Sequence, residues 1–282
     1  MSEVLTHIRS MRRYAAQALA DVLRETRDGF PSETRLRDMW HERLTEDLTS
    51  CSEGWYLPPP HGIVLVIGDS PLFGRLDVPT FRPENAWPSP QHRLRKDSLL
   101  SVYSSRVHRG TGVIGDFGCS LYRGADAAIR DHLRRVWNVT MGIAEEVSPG
   151  TTFTQLYDRA MELLRRESLM NNIYSVHDGC ETNIGHTIPW SHEPLLDDDR
   201  LILTDGTPRQ VADLVGRQRR FISPTESLEI TSDMALTIEP RANRPGLPPA
   251  WFHVVVGFEE GRRVVITEFE PLFELWGMDY LR

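Results

Sequence analysis

Twice along this sequence a long helical pattern runs into a break of glycine or proline, a second helix opens at once, and strands follow. In the first copy, Leu5, Ile8, Met11, Tyr14, Ala15, Ala18, Leu19 and Val22 recur near helical spacing from Val4 to about Arg27. Gly29 and Pro31 end that helix, and Ser32 opens the next, which carries Leu36, Met39, Trp40 and Leu44 on one face. In the second copy, residues 125–147 place Ile129, Leu133, Val136, Trp137, Thr140, Ala144 and Val147 in one stripe. Pro149-Gly150 breaks it, and Thr152 with Gln155 forms a capping box for a helix turned inward through Phe153, Leu156, Tyr157, Ala160, Met161 and Leu164. Phe30-Pro31-Ser32 ahead of Leu36 and Asp38 thus parallels Ser148-Pro149-Gly150 ahead of Leu156 and Asp158. Helix–helix–strands, twice, predicts an α+β fold with an approximate internal two-fold, its helices covering one face of an antiparallel sheet and leaving the other face for a site.

The strands are less sharply marked. Residues 61–68 form a continuous apolar run and read as a buried strand, whereas 69–92 hold five prolines and read as irregular. Residues 99–105 and 112–122 pair across a turn at Arg109-Gly110, and further strands are expected at about 172–188, 228–240 and 250–270. At 282 residues the chain is read as one domain, 1–282.

Composition narrows the function. A formal charge of -8 leaves no basic footprint for nucleic acid. No apolar run approaches the ~18 residues of a membrane span, and the N-terminus is amphipathic rather than signal-like, so no membrane partner is expected. Cys51, Cys119 and Cys180 are odd in number and lack any C-x-x-C spacing. That argues against a disulfide framework or cysteine zinc site and for a reduced, cytoplasmic location. Cys119 and Cys180 read as small buried apolar residues. Lys96 is the only lysine among 32 basic residues, a bias read as base composition.

Chemistry concentrates in three segments: Gly-Asp-Phe-Gly at 115–118, Gly-His-Thr-Ile-Pro at 185–189 with His-Glu-Pro at 192–194, and Thr-Ile-Glu-Pro at 237–240. They supply Asp116, His186 and Glu239. Taken singly each has a plainer reading, since Asp-x-Gly is common in turns and a lone histidine is more often structural. Together, an aspartate, a histidine and a glutamate beside glycine or proline suit a divalent metal. Alternation along 234–239 puts Met234, Leu236 and Ile238 on one face and Thr237 and Glu239 on the other, and His253 points opposite Phe252, Val254 and Val256.

On these residues the chain resembles the pita-bread metallopeptidase family, which includes methionine aminopeptidases, Xaa-Pro dipeptidases and creatinase. The resemblance runs nearly end to end, taking in the N-terminal helix pair, Arg95-Lys96-Asp97-Ser98-Leu99-Leu100 and Pro149-Gly150. It implies the pita-bread fold in its short, single-domain form, a curved antiparallel sheet with helices on its outer face. It further implies two metals held by two aspartates about eleven residues apart, a histidine and two glutamates. Asp116 matches the second aspartate, with Gly112 supporting the register, His186 the histidine and Glu239 the first glutamate. Ser105 stands where the first aspartate belongs, and Phe252-His253 where the last glutamate belongs. Trp87 occupies the place nearest a substrate-binding histidine of the family, and His192 matches its second histidine one residue early. Residues 195–228 are longer than the expected connection and read as an insertion, a lid or a dimer contact.

Loss of the first aspartate removes one metal of the pair. The expectation is therefore a mononuclear centre, with Asp116, His186, Glu239 and His253 as ligands to one divalent ion (Fe, Mn, Zn or Co). His192 and Glu239 are the candidate catalytic groups, and Trp87 and His192 the candidate substrate contacts. His108 and His177 are reserves, and Trp190 and Trp251 join Trp87 as pocket candidates. The leading function is metal-assisted hydrolysis or lyase chemistry on a small amino-acid-like or peptide-like substrate. The alternatives are an oxygen-dependent non-haem Fe(II) enzyme using two histidines and a carboxylate, an inactive binding module, and an ordinary two-metal aminopeptidase. A homodimer is the partner expected besides the small-molecule substrate.

Overall fold

The structure is a computed structural model and describes residues 2–69, 73–172 and 182–281. The two helix pairs form as the periodicity predicts. Helix α1 (Ser2–Glu25) packs on α2 (Glu33–Thr45), whose N-terminus is capped by the Ser32 hydroxyl accepting from the Arg35 amide. The buried Trp40 indole of α2 donates to the Ala15 carbonyl at 3.1 Å. Helix α3 (Ala127–Glu146), capped by Asp126, packs on α4 (Phe153–Arg166), where Thr152 and Gln155 complete the expected capping box.

After the first pair come β1 (Ile63–Gly68), β2 (Leu99–Ser104) and β3 (Phe117–Tyr122), an antiparallel sheet buried on both faces. After the second come β4 (Met170–Asn171), β5 (Gly185–Thr187), helices α5 (Asp197–Asp205) and α6 (Pro208–Arg217), then β6 (Leu236–Ile238), β7 (Ala242–Arg244), β8 (Leu247–Ala250), β9 (Val254–Glu259), β10 (Arg262–Ile266) and α7 (Glu270–Trp276). These strands form an antiparallel sheet in the order β10-β9-β6-β5 and a small one in the order β4-β7-β8. The first sheet joins the second-half strands where Cys119 of β3 bridges Phe252: the Ser120 amide donates to the Trp251 carbonyl at 2.9 Å and the His253 amide to that of Gly118 at 2.8 Å. Helices α1 and α3 both lie against β3 and β9, across this seam.

Several expectations are corrected. The strand expected over 112–122 begins only at Phe117, because Asp116 has a left-handed backbone (φ 41°) that breaks the ladder. The expected 228–240 strand is reduced to β6, and the 250–270 run splits into a hairpin turning at Glu260-Gly261, with α7 starting at Glu270. Residues 195–228, expected as an insertion, hold α5 and α6. Leu203, Val211, Leu214 and Val215 of these helices bury themselves in a second apolar cluster with Leu5, Ile8, Val107 and Ile114. Trp190 belongs to that cluster, and its ring lies where a Cβ at Gly112 would stand, 2.4 Å away. Most of the expected 172–188 strand, with His177 and Cys180, lies outside the described residues. No described helix is long and apolar enough to cross a membrane.

Candidate metal centre

Four side chains converge from strand ends at the seam. Asp116 sits at the foot of β3, His186 within β5, Glu239 just past β6 and His253 just before β9. Register explains the convergence: His186 pairs with Thr237, the Glu239 amide donates to the Ile184 carbonyl at 2.8 Å, and the His253 amide to that of Gly118. One buried cation holds the junction. The Arg12 guanidinium donates to the carbonyls of Gly115 (3.1 Å), Asp116 (2.6 Å), His253 (2.5 Å) and Thr267 (2.8 Å), so α1 clamps the backbones that carry Asp116 and His253.

The ligating atoms lie close together. His186 Nε2 is 3.1 Å from Asp116 Oδ2 and 3.7 Å from Glu239 Oε1, and His253 Nδ1 is 3.1 Å from Glu239 Oε2. One atom each from Asp116, His186 and Glu239 lies within 4.8 Å of the others. Trp55 Nε1 (3.1 Å) and the Tyr103 hydroxyl (2.5 Å) both donate to Asp116 Oδ1. That leaves Oδ2, buried and without a well-aligned hydrogen-bond partner, facing His186; His253 Nδ1 is in the same condition.

The orientation of His186 indicates what belongs among these atoms. Its Nδ1 lies 2.9 Å from the Thr187 carbonyl, an acceptor, so Nδ1 carries a hydrogen and Nε2 is the atom turned to two carboxylate oxygens, with a lone pair for a metal when the ring is neutral. With the ring neutral, three acceptor atoms at such distances repel one another unless a cation lies among them, and two carboxylates with two imidazoles are a donor set suited to a divalent metal. Electrostatics agrees. Burial pushes the His253 imidazole down to about 3, which keeps it neutral, the form that binds metal. Burial opposes the charged form of Asp116, yet His186, when its ring carries a proton on Nε2 in the absence of a metal, and the Tyr103 hydroxyl outweigh it and hold the carboxyl below its usual range.

His186, Glu239 and His253 line a cleft with about 720 Å³ of free space, part of it open to solvent. Its walls are aromatic: Trp55, Tyr56, Tyr103, Phe81, Phe221 and Trp251. Two arginines complete it, Arg219 stacked 3.9 Å from the Trp55 centroid and Arg241 lying 4.7 Å from that of Phe81. Of the expected pocket tryptophans only Trp251 lines the cleft. Trp87 is turned away, its Nε1 donating to the Arg82 carbonyl at 2.9 Å, and Phe81 lies on the wall instead. His192 is not among the lining residues either; it sits past β5 beside Ser191, with Nε2 3.9 Å from Glu193. His108 stacks on His7 and bonds Thr111, away from the cleft. Ser105 is occupied by backbone, its hydroxyl donating to the Gly62 carbonyl and accepting from the Tyr56 amide. Cys119 is buried in β3, and burial pushes its thiol up, so it is no nucleophile.

Sequence reasoning missed Trp55, Tyr103, Arg219, Phe221 and Arg241. Arg241 was within reach, since it directly follows Thr-Ile-Glu-Pro. Arg219 and Phe221 arrive by pairing outside any predicted strand: the Thr187 amide donates to the Arg220 carbonyl and the Ile222 amide to that of Gly185, laying 220–222 along the free edge of β5.

The sequence matches metallopeptidase family M24 over residues 6–268. No curated protein matches it in sequence. Solved structures of similar shape include an X-Pro aminopeptidase from Thermotoga maritima (TM-score 0.61, 12% identity, 95% of this chain and 61% of that one) and a methionine aminopeptidase from Rickettsia prowazekii (0.60, 14%, 95% and 98%). A dipeptidase from Mycobacterium ulcerans is also similar (0.58, 15%, 92% and 57%). The chain thus spans about three fifths of the X-Pro aminopeptidase and of the dipeptidase. At these identities the likeness is one of fold, and the fold is the pita-bread fold.

Proposed function

The chain belongs to metallopeptidase family M24, and from that premise we propose that it is a metal-dependent hydrolase working at one metal ion, on a small amino-acid-like or peptide-like substrate. The observation that carries this reading is the convergence of Asp116 Oδ2, His186 Nε2 and Glu239 Oε1, with His253 beside Glu239; Ser105, which the resemblance aligns with the first aspartate, bonds only to backbone through its hydroxyl. Asp116, His186, Glu239 and His253 would hold the ion. When bound, a divalent ion polarises a carbonyl and makes its bound water acidic enough to attack near neutral pH.

The chain's own residues supply the rest. Trp55 and Tyr103 saturate Asp116 Oδ1 and keep Oδ2 directed at the centre. Glu239, 13% exposed at the floor of the cleft, is the carboxylate placed to accept a proton from the substrate side. The aromatic walls exclude water and suit an apolar side chain. We propose that residues 195–228 act as the specificity element, since they carry Arg219 and Phe221 to the cleft.

Metal analysis tests this reading. Protein purified with Mn²⁺, Co²⁺, Zn²⁺ or Fe²⁺ is expected to hold one ion at this centre, so that Asp116→Ala and His186→Ala each carry one equivalent fewer than the wild type. Equal metal content in the wild type and both variants, or none in the wild type after reconstitution, rules the centre out. Oxygen uptake by the iron-loaded protein would move the assignment from hydrolysis to the two-histidine, one-carboxylate oxygen chemistry that His186 and His253 also support.

A further inference from the structure

A second group of ligating side chains lies apart from the cleft. His41 on α2, with Glu53 and His61 from the segment between α2 and β1, offers ligand atoms all within 4.8 Å of one another. None of the three lines the cleft. Glu53 takes both contacts: His61 Nδ1 lies 3.0 Å from each carboxylate oxygen, and His41 Nε2 lies 3.6 Å from Oε1, too far for a hydrogen bond. The two imidazoles stack face to face, 3.7 Å between centroids and 14° between planes. Side-chain exposures of 20%, 24% and 32% for His41, Glu53 and His61 leave a path for an ion and room for water to complete its shell.

The backbone is shaped to make this meeting. His61 adopts a left-handed conformation (φ 61°, ψ 6°), which costs a non-glycine residue about 1–3 kcal/mol. The Gly54 amide donates to the His61 carbonyl at 3.0 Å, holding Glu53 and His61 side by side. Two imidazoles and one carboxylate are donors that zinc accepts, with water as the fourth, and their place on parts of the chain joined only by an irregular segment suits an ion that anchors.

We infer that His41, Glu53 and His61 form a second metal site, of the zinc class and structural in role, which pins the 46–62 segment to α2. Its consequence reaches the cleft through two residues. Trp55, two positions past Glu53, donates to Asp116 Oδ1, and Tyr56 forms part of the wall. The ion would steady the segment that positions Asp116, while taking no part in the chemistry. The assignment holds whatever reaction the central cleft performs.

The test uses the full chain with the central site removed. Asp116→Ala/His186→Ala protein, stripped with chelator, is titrated with Zn²⁺ against a chromophoric competitor. It is expected to bind one equivalent and to melt at a higher temperature with Zn²⁺ than without. Adding His41→Ala or Glu53→Gln should weaken that binding roughly a hundredfold or more, since even outer-shell partners are worth about 10–100-fold. No Zn²⁺ bound by a double variant that retains its far-ultraviolet circular dichroism overturns the inference. So does binding that His41→Ala and Glu53→Gln leave unchanged. If the double variant fails to fold, the same titration on wild type and His41→Ala decides: the variant must lose one equivalent, and equal stoichiometry overturns the site.

Discussion

His132 is buried and His253 partly so, and in both the loss of water disfavours the charged ring, but their surroundings give that fact different meanings. His253 faces Glu239 within the metal centre. His132, on α3, places Nε2 2.8 Å from the Pro248 carbonyl, and burial pushes it down to about 4. A folded value below the unfolded one of ~6.5 means that the unfolded chain binds the proton first. His132 therefore contributes its full stability above pH ~6.5 and loses it as pH falls toward 4. For this group alone the loss between pH 7 and pH 5 is about 2 kcal/mol. His132→Gln, which keeps a donor to the carbonyl, should flatten the dependence by about that amount; urea unfolding of both proteins at the two pH values measures it. Equal slopes would remove His132 from the acid response. Such residue-level properties were beyond sequence reading, because desolvation depends on what surrounds the ring, and nothing local to His132 announces Pro248.

Among the elements, helices were legible and short strands were not. The stripe of α3 and the capping box of α4 are local patterns with local causes, so periodicity placed them within a few residues. Strands β5 and β6 are three residues each, too short for alternation to distinguish them from loop, and they exist because they pair with each other and with β9. Gly185 shows how tightly that pairing is drawn. Its φ of 148° and a would-be Cβ only 1.9 Å from the Thr237 carbonyl mean that no side chain fits there. Gly185→Ala must push β5 off β6 and carry His186 away from Asp116. It should cost about 2–3 kcal/mol in unfolding free energy and lower metal affinity. A variant of wild-type stability with full metal content would show that the register tolerates the change.

Across the whole molecule, Arg12 ties the first-half helix to backbones from both halves of the chain. Burial lowers the guanidinium only to about 10, so it stays charged while donating to four carbonyls. It also lies over the Phe117 and Phe269 rings, at 5.6 and 5.4 Å. Arg12→Met fills the volume but leaves those carbonyls buried and unpaired, and should destabilise the protein by about 3–5 kcal/mol. Metal should also dissociate faster than from wild type, because the backbones under Asp116 and His253 are released together. Chemical unfolding and chelator-driven metal loss test the two parts, and a stable Arg12→Met protein with slow metal loss would contradict the clamp. In sequence Arg12 is one arginine among many on an amphipathic helix, and its role emerges only when α1 is laid over the seam.

The amino-acid sequence by itself determined the helix pairs, their order, the pita-bread fold through its family resemblance, and the three segments carrying Asp116, His186 and Glu239. Those features rest on periodicity, caps and glycine or proline positions, which act over a few residues. Tertiary structure decided that His253 meets Glu239, that Trp87 and His192 stand outside the cleft, and that Arg219 and Phe221 reach it from the α5–α6 segment. It also brought His41, Glu53 and His61 together. Each of those facts depends on pairing or packing between distant parts of the chain, where distances of a few ångströms are set by register and burial rather than by neighbours in sequence.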